Sequence, residues 1–505
     1  MEAFPENPLL FENLTAPAIA QARQIKPWAS ILFFVLAALF LAVATRQGHG
    51  WGDDHAMYIH HAKNIAEGTA YGATGYVYNP AVPNLGPATY PPVFPLVLAP
   101  FYKLFGLNLD ALKLVEPILL WLLLLLFYWL WRDELTPPQL LGVLALFAFN
   151  PLTQALRDCI NSDVLFLCWL GLVFLLVRRV YEQGRPIVNQ HVSAALLGTV
   201  IYLAYGTRSI GIILLGCLVL YDLWHLRRVR WLTLEIIGLA VGLIVLQNLF
   251  IHSDGTYANT FAIHPRNVLS NIRAYVSEFS AVWGLGFPKL LRLGLFGGLF
   301  SLAAWGWYYC ARQRVTFLAL FSLCYLPPIL LISLEVQTRY LAPLMLPFLF
   351  YALRGGQQLL KHVPLRATWA QPALALLALL MLAGYAVTYV RMDWHPYNVA
   401  LSRNETQQLT SYLRETTAPS DVLVFIKPRL LALLTDRRVS VWHTPDDEQA
   451  LWDYLQKIGA QYVIAGPRDV QPESQAYLEQ FLAHRADSFQ ALYANADYRV
   501  YRLLR

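Results

Sequence analysis

Charged residues and paired cysteines are both scarce in this sequence. Only 14% of its 505 residues are charged, against roughly 25% in a soluble globular domain, while 57% are hydrophobic and the mean hydropathy is +0.43. The five cysteines are odd in number and show no CxxC spacing, so neither a disulfide framework nor a zinc site is indicated. The composition therefore predicts a polytopic membrane protein, with no nucleic acid among its partners.

Long apolar runs set the predicted architecture. At ~20 residues per crossing, they predict a polytopic α-helical membrane protein with about eleven transmembrane helices. Arg and Lys concentrate in alternate loops, which accounts for the net charge of +6 and predicts an inner-membrane protein with a cytoplasmic N-terminus. The candidate spans lie near 29–45, 110–131, 138–152, 163–178, 192–207, 210–225, 231–250, 291–310, 315–334, 341–354 and 369–390.

This topology divides the chain into three regions. Residues 1–28 are predicted as a cytoplasmic segment, 29–390 as a transmembrane domain with a long outer loop at 46–109, and 391–505 as an extracytoplasmic domain. The last region alternates apolar runs of strand length with helix-like stretches, which predicts a small α/β domain. The predicted strands are 422–426, 439–443, 461–465 and 498–504, and the predicted helices are 404–416, 446–458 and 473–483.

The stretch at 51–68, WGDDHAMYIHHAKNIAEG, carries the strongest candidates for chemistry. Asp53 and Asp54 follow the first apolar span, at the boundary between water and lipid. A carboxylate in that place can stay ionised and act as a general base on an acceptor hydroxyl or amine. The alternative is a solvated helix N-terminus, where Asp caps free backbone N–H groups.

Two predictions concern the structure around this acidic pair. Residues 56–67 read as an amphipathic helix that lies along the membrane surface, and His55, His60 and His61 read as surface histidines rather than metal ligands. The stretch at 90–106, YPPVFPLVLAPFYKLFG, is predicted on the outer surface without a regular helix, because its four prolines disfavour one.

A second group of charges lies in RDCINSDVLF, between the third and fourth predicted spans. It contains Arg157, Asp158 and Asp163. Charges so near hydrocarbon need a partner or a cavity. Two readings stay open for them: an acidic position in a site, with Asp158 and Asp163 as its carboxylates, or an ion pair of Arg157 that only anchors two helix ends.

Arg208 in YGTRSIG and Arg339 in QTRYLAPLMLP are single cations at outer helix ends. A guanidinium there can hold a lipid phosphate or pyrophosphate by paired hydrogen bonds. The alternatives are contact with ordinary headgroups and, for Arg339, a pair with Glu335 one helical turn away.

These blocks together resemble the GT-C superfamily of integral-membrane glycosyltransferases, in particular the bacterial branch related to protein mannosyltransferases and the lipid A aminoarabinose transferase. WGDDHAMYIHHAKNIAEG looks like that family's first-loop block, and YPPVFPLVLAPFYKLFG looks like the block that follows it. RDCINSDVLF, GTRSIG and TRYLAPLMLP are similar to later landmarks. The resemblance covers about residues 25–390.

The resemblance implies transfer of one sugar from a polyprenyl-phosphate donor to a lipid, glycan or protein acceptor on the outer face, with inversion. Asp53 matches the catalytic acidic position, Asp54 stands where many members have Glu, and Asp163 matches a second-loop acid. Arg208 and Arg339 match arginines near the donor phosphate. TYPPVF lacks the lysine that some relatives place near the double proline.

Other functions remain open at this point. The family divides on metal use, so no cofactor is certain and a divalent metal stays open. The main alternative is a transporter or flippase of a polyprenyl-linked glycolipid, although the ionisable residues gather at one face rather than near the bilayer midplane. A membrane anchor that presents the C-terminal domain as a binding module ranks last, because it leaves Arg208 and Arg339 unexplained.

Overall fold

The computed structural model describes residues 27–50, 52–251, 265–283, 287–331, 336–362, 367–397 and 403–504. Helices dominate up to the end of the predicted membrane domain, and strands occur after it. The helices there are Pro27–Val43, Asp54–Glu67, Val93–Phe105, Leu109–Lys113, Val115–Trp131, Pro137–Ala148, Pro151–Arg157, Asp163–Val177, Gln190–Thr207, Ile213–Leu226, Trp231–Phe250, Pro265–Trp283, Lys289–Gln313, Phe317–Cys324, Leu326–Leu331, Ala342–His362 and Ala367–Arg391.

Each predicted span falls on one or more of these helices, so the polytopic helical fold is confirmed. Within the described residues, six helices are long and apolar enough to cross a membrane, or seven if the bent pair Pro137–Ala148 and Pro151–Arg157 forms one span. Pro27–Val43 and Phe317–Leu331 are apolar but shorter. The count of eleven therefore stays a prediction, as do the orientation of the termini and the boundaries of the three regions.

Glycine permits a close helix crossing in the membrane domain. Lys289–Gln313 packs against Ala342–His362 with Gly306 and Gly355 at the contact. A Cβ at Gly355 would come within 1.9 Å of the Leu302 carbonyl oxygen. Such an approach of two backbones needs residues without side chains.

Two helices of the outer loop differ from the sequence predictions. A regular helix, Val93–Phe105, forms despite its prolines. Pro92 and Pro95 occupy the helix start, where backbone N–H groups have no intrahelical acceptor, so only Pro100 removes an internal hydrogen bond. The other helix, Asp54–Glu67, hereafter the first-loop helix, is buried along most of its length, so its interpretation as a lipid-facing surface helix is wrong.

The C-terminal region forms the predicted α/β domain, which is confirmed. Its helices are Asn404–Thr416, Pro428–Thr435, Glu448–Lys457 and Pro472–His484, and its strands are β1 (Val422–Val424), β2 (Arg438–Ser440), β3 (Ala460–Ala465), β4 (Phe489–Ala494) and β5 (Arg499–Leu503). The strand order is β2-β1-β3-β5-β4, with β1 parallel to β2 and β3 and the other pairs antiparallel. Strand β4 and the helix Pro428–Thr435, hereafter the docking helix, are not among the elements predicted from the sequence.

The outer loop extends this sheet. Tyr76 pairs with Val439 in a parallel bridge, Val77 N donates to the Val439 carbonyl and Val439 N donates to the Gly75 carbonyl, each at 2.9 Å. Gly75 has φ +69°, and a Cβ there would lie 2.4 Å from the Arg437 carbonyl oxygen. The edge strand β2 is thus covered by the first outer loop, which fixes the soluble domain against the membrane domain.

Candidate active site

Asp54 and Arg339 form the first contact of the site. Asp54 is the first residue of the first-loop helix, and Arg339 lies in the short turn Thr338–Leu341 that leads into Ala342–His362. Arg339 Nη2 lies 2.7 Å from Asp54 Oδ2, although 285 residues separate the two in the chain. The structure therefore brings together two helix ends that the sequence predicts on one face of the membrane.

Asp163 and Arg208 continue this contact. Asp163 begins the helix Asp163–Val177, and Arg208 directly follows Gln190–Thr207 in an extended backbone conformation. Arg208 Nη1 lies 2.5 Å from Asp163 Oδ1, and Arg339 Nη1 lies 3.8 Å from Asp163 Oδ2. Arg339 thus bridges two carboxylates, and Arg208, Asp163, Arg339 and Asp54 form one chain of alternating charges.

The soluble domain adds an arginine that the sequence analysis missed. Arg429, in the first turn of the docking helix, has a side chain only 1% exposed. Its Nη1 lies 3.3 Å from Asp54 Oδ1 and 2.5 Å from the Tyr90 hydroxyl, and its Nη2 donates to the Pro87 carbonyl at 3.2 Å. Tyr90 in turn donates to Asp54 Oδ1 at 2.7 Å. Arg429 thereby places a cation beside the segment that precedes Pro91 and Pro92, a segment that has no lysine or arginine of its own.

The sequence holds one faint signal of this residue. In KPRLLALLT, Arg429 is the one charged residue of the docking helix, so a buried arginine would need an anionic partner. The identity of that partner, 375 residues away, has no local signature.

Asp53 lies in a different environment from its neighbour. Its side chain is 5% exposed, and its Oδ1 accepts a hydrogen bond from Leu430 N at 3.1 Å. Its Oδ2 lies 3.9 Å from Arg429 Nε and has no hydrogen-bond partner within the described residues. Burial raises the pKa of Asp53, and Arg429 opposes that rise only in part.

Asp54 is the more accessible carboxylate, with 35% of its side chain exposed. Burial alone would raise its pKa, but Arg339, Arg429 and the Tyr90 hydroxyl together hold the pKa of Asp54 well below its usual range. The adjacent acids therefore have opposite pKa shifts. Such a split is typical of functional sites, where two carboxyl groups take different roles.

Guanidinium groups supply the positive charge of this site. Arg208, Arg339 and Arg429 face Asp53, Asp54 and Asp163. Across the described part of the chain, no group of three or more His, Cys, Asp or Glu side chains is arranged to hold a metal ion. Because arginines already occupy the positions around these carboxylates, the residues present do not fit a divalent cation in this arrangement.

The histidines of the first-loop helix are buried, so their interpretation as surface residues is wrong. The docking helix and Val93–Phe105 cover this helix, and His55, His60 and His61 are at most 5% exposed. His61 accepts from Tyr90 N at 3.1 Å and stacks on Tyr71. Burial lowers the pKa of His61 to about 3, so this ring is neutral and holds the loop that carries Tyr90.

Two of the predicted charges lie apart from this site. Asp158 accepts from Lys113 Nζ at 3.2 Å and from the Tyr397 hydroxyl at 2.8 Å, which ties the beginning of the second predicted span to the chain after the last span. Arg157 donates to the Leu41 carbonyl at 3.0 Å and so anchors the end of Pro27–Val43. Of the predicted second-loop acids, the structure brings only Asp163 to Arg339. Glu335, the alternative partner of Arg339, lies outside the described residues.

The chain has the fold of the GT-C superfamily of integral-membrane glycosyltransferases, as the resemblance predicts. No protein-family model and no curated protein sequence matches it. The likeness is one of structure, at 12–14% identity.

Three solved structures illustrate this likeness. The crystal structure of ArnT from Cupriavidus metallidurans bound to undecaprenyl phosphate matches with a TM-score of 0.53 and 14% identity, over 94% of this chain and 98% of that one. The oligosaccharyltransferase AglB from Archaeoglobus fulgidus, in complex with an inhibitory peptide and a dolichol-phosphate, matches with 0.57 and 13%, over 91% and 72%. Mycobacterial arabinofuranosyltransferase AftD matches with 0.52 and 13%, over 97% of this chain and 40% of that one.

Proposed function

We propose that this protein is a glycosyltransferase that moves one sugar from a polyprenyl-phosphate donor to a lipid, glycan or protein acceptor on the outer face of the membrane. The observation that carries the proposal is Arg339, held between Asp54 and Asp163 with Arg208 beside it. This pairs a phosphate-binding group with a proton acceptor at the ends of membrane helices. The GT-C fold supports it, as do the undecaprenyl phosphate and dolichol-phosphate of the ArnT and AglB structures.

The chemistry is a single displacement. The acceptor oxygen or nitrogen attacks the anomeric carbon from the face opposite the phosphate, so the configuration inverts. The bond from that carbon to the phosphate oxygen breaks, and the polyprenyl phosphate leaves with the bonding electrons. Arg339 and Arg208 stabilise the charge that gathers on the phosphate, and a carboxylate takes the acceptor proton.

The base is one of two adjacent acids. The resemblance assigns it to Asp53, but the geometry favours Asp54, because Asp54 is partly exposed and faces Arg339 while Asp53 lies behind Leu430. When the donor phosphate draws Arg339 away, Asp54 loses a cation and becomes a stronger base. Asp53 then supports the backbone of the docking helix.

A donor panel tests the function. Purified protein is given a set of polyprenyl-phosphate sugars, and release of polyprenyl phosphate is measured with and without candidate acceptors. Turnover of one donor supports the proposal. A protein that moves intact glycolipid across vesicles without breaking the sugar–phosphate bond is a transporter instead, and that result overturns it.

Matched variants then assign the base. Asp54→Asn should lower turnover by ~10²–10⁴-fold, the usual contribution of a general base, because an amide cannot take the proton. Compared with Asp54→Asn, Asp53→Asn should lower turnover less and thermal stability more, because it alters a buried contact to Leu430. The reverse pattern would return the base to Asp53, and two active variants would remove the pair from the chemistry.

A further inference from the structure

The soluble domain meets the acidic pair through one short element. The docking helix begins with Pro428 at its first turn, where proline costs no hydrogen bond, and ends at Asp436 in a left-handed conformation. It packs on the first-loop helix, and Lys63 Nζ lies 2.6 Å from Asp436 Oδ1 at the far end of the contact. Arg429 and Leu430 at its near end reach Asp54 and Asp53.

The sheet holds the docking helix in place from the other side. Besides the Tyr76–Val439 bridge, Asn79 Nδ2 donates to the Val441 carbonyl at 2.9 Å and the Ser440 hydroxyl donates to the Val77 carbonyl at 2.9 Å. Since β2 follows the docking helix directly in the chain, these bonds fix the position of Arg429. The fold of the C-terminal domain thus places Arg429 against the outer loop of the membrane domain.

A purely structural anchor would not need this arginine. A fully buried guanidinium carries a desolvation cost that an apolar residue of similar volume avoids. The neighbours of Arg429 along the helix are leucines and alanine, which shows that this surface already packs through apolar groups. The charge is placed where its contacts are Asp54, Asp53 and Tyr90.

We infer that Arg429 is a positioning residue of the active site, through which the docked soluble domain orients Asp54 and keeps it ionised until it takes the acceptor proton. The inference rests on the proposed function. Asp54 has two cations in contact, Arg339 and Arg429. Once the donor phosphate engages Arg339, Arg429 is the cation that remains, so the state of the base then depends on the soluble domain.

The effect of Arg429 on Asp54 can be measured through the pH dependence of kcat, because charged groups surround this carboxylate. The groups that face it are Arg339 from the turn before Ala342–His362, Arg429 from the docking helix, Tyr90 from the outer loop, and Asp53, His55 and Lys427 nearby. Removal of a cation in contact with a carboxylate raises its pKa by about one to three units. The acid limb of kcat, which reports the enzyme–donor complex, should move upward accordingly.

The test compares Arg429→Met and Arg429→Lys with Arg468→Met, a matched control whose exposed side chain pairs with Glu479 away from the site. For Arg429→Met we expect kcat at neutral pH to fall by up to about 10²-fold, a smaller change in KM for the donor, and an acid limb shifted upward by about one to three units. Arg429→Lys should restore part of both effects. Arg468→Met should match the wild type.

A second variant tests docking without touching the arginine. Gly75→Val places a Cβ against the Arg437 carbonyl, 2.4 Å away as the backbone stands, and should loosen the sheet contact. We expect faster hydrogen exchange in the first-loop helix together with the same acid-limb shift. This variant also keeps the inference testable if Arg429→Met does not fold.

The outcomes separate the two proposals. An active wild type whose Arg429→Met variant keeps its kcat and acid limb overturns the inference and leaves the proposed function standing. A loss of thermal stability and faster exchange with an unchanged acid limb assigns Arg429 to anchoring alone and also overturns it. A wild type that releases no polyprenyl phosphate from any donor overturns the proposed function, and the inference falls with it.

Discussion

Arg339→Ala should remove turnover while the protein stays folded. The contacts around Arg339 predict this separation, because neither of its carboxylates loses all its partners. Asp163 keeps Arg208 at 2.5 Å, and Asp54 keeps Arg429 at 3.3 Å and the Tyr90 hydroxyl at 2.7 Å. No buried anion is left without a cation, which is the case that destabilises most.

The magnitude follows from what the guanidinium does in the two states. In the free enzyme Arg339 is bound to Asp54 and Asp163, so donor binding exchanges these contacts for contacts with phosphate and gains little. As the sugar–phosphate bond breaks, charge gathers on the leaving oxygens and the contact strengthens. Loss of one such donor costs ~10²–10³-fold in kcat, so kcat should fall far more than KM changes. Arg339→Lys keeps the charge but loses the planar fork, and should recover part of the loss.

The chain offers a matched control for this assay. Arg354 has the same side-chain exposure as Arg339, 25%, and pairs with Glu134, which is exposed to a similar extent as Asp54, 34% against 35%. Both alanine variants are purified in detergent, and their melting temperatures and donor turnover are compared per folded molecule. Folded Arg339→Ala protein with full turnover would refute the reasoning, as would an equal kinetic loss in Arg354→Ala.

Three further outcomes test the fold. Gly355→Val should abolish stable folding, since its Cβ would meet the Leu302 carbonyl, whereas Gly297→Ala, with open space around its Cβ, should be neutral in a melting assay. Burial lowers the pKa of His60 to about 4 and that of His61 to about 3. Because the unfolded values lie near 6.5, stability should be full above pH 6.5 and fall below it, by up to about 1.4 kcal/mol per unit and residue; a flat melting temperature from pH 7.5 to 4.5 contradicts this. A cysteine at Ser474, in a background without the native cysteines, should react with an impermeant reagent from outside, and reaction only after lysis would contradict the topology.

The sequence predicts those parts of the fold that local pattern controls. Apolar run length locates the membrane helices, and alternation locates three of the four predicted strands closely, at β1, β3 and β5. The helix Val93–Phe105 is not predicted from the sequence, because the number of prolines alone does not say where in a helix each proline lies. Two of its prolines cost nothing at the helix start. Strand β4 is not predicted because it lies at the edge of the sheet and most of its side chains are exposed, so it has no buried face for the sequence pattern to record.

The site divides in the same way. Asp54, Asp163, Arg208 and Arg339 can be proposed from sequence, because each is a charge at the end of an apolar segment on one predicted face. Arg429 cannot, since its role depends on how a separate domain docks. The burial of the first-loop helix is not predicted for the same reason. Its polar face is typical of a solvent-facing helix, but the docking helix covers it.

The division of labour between Asp53 and Asp54 also follows from docking. Adjacent residues in helical conformation project about 100° apart, and Asp53 has nearly helical dihedrals, φ −96° and ψ −24°. The two side chains therefore point into different surroundings. Leu430 N of the soluble domain donates a hydrogen bond to Asp53, and Arg339 of the membrane domain donates one to Asp54. Two adjacent aspartates, which the sequence alone does not distinguish, thus come to differ. Asp53 is a buried carboxyl with a raised pKa and Asp54 an accessible carboxylate with a lowered pKa, because two domains contact the pair from different sides.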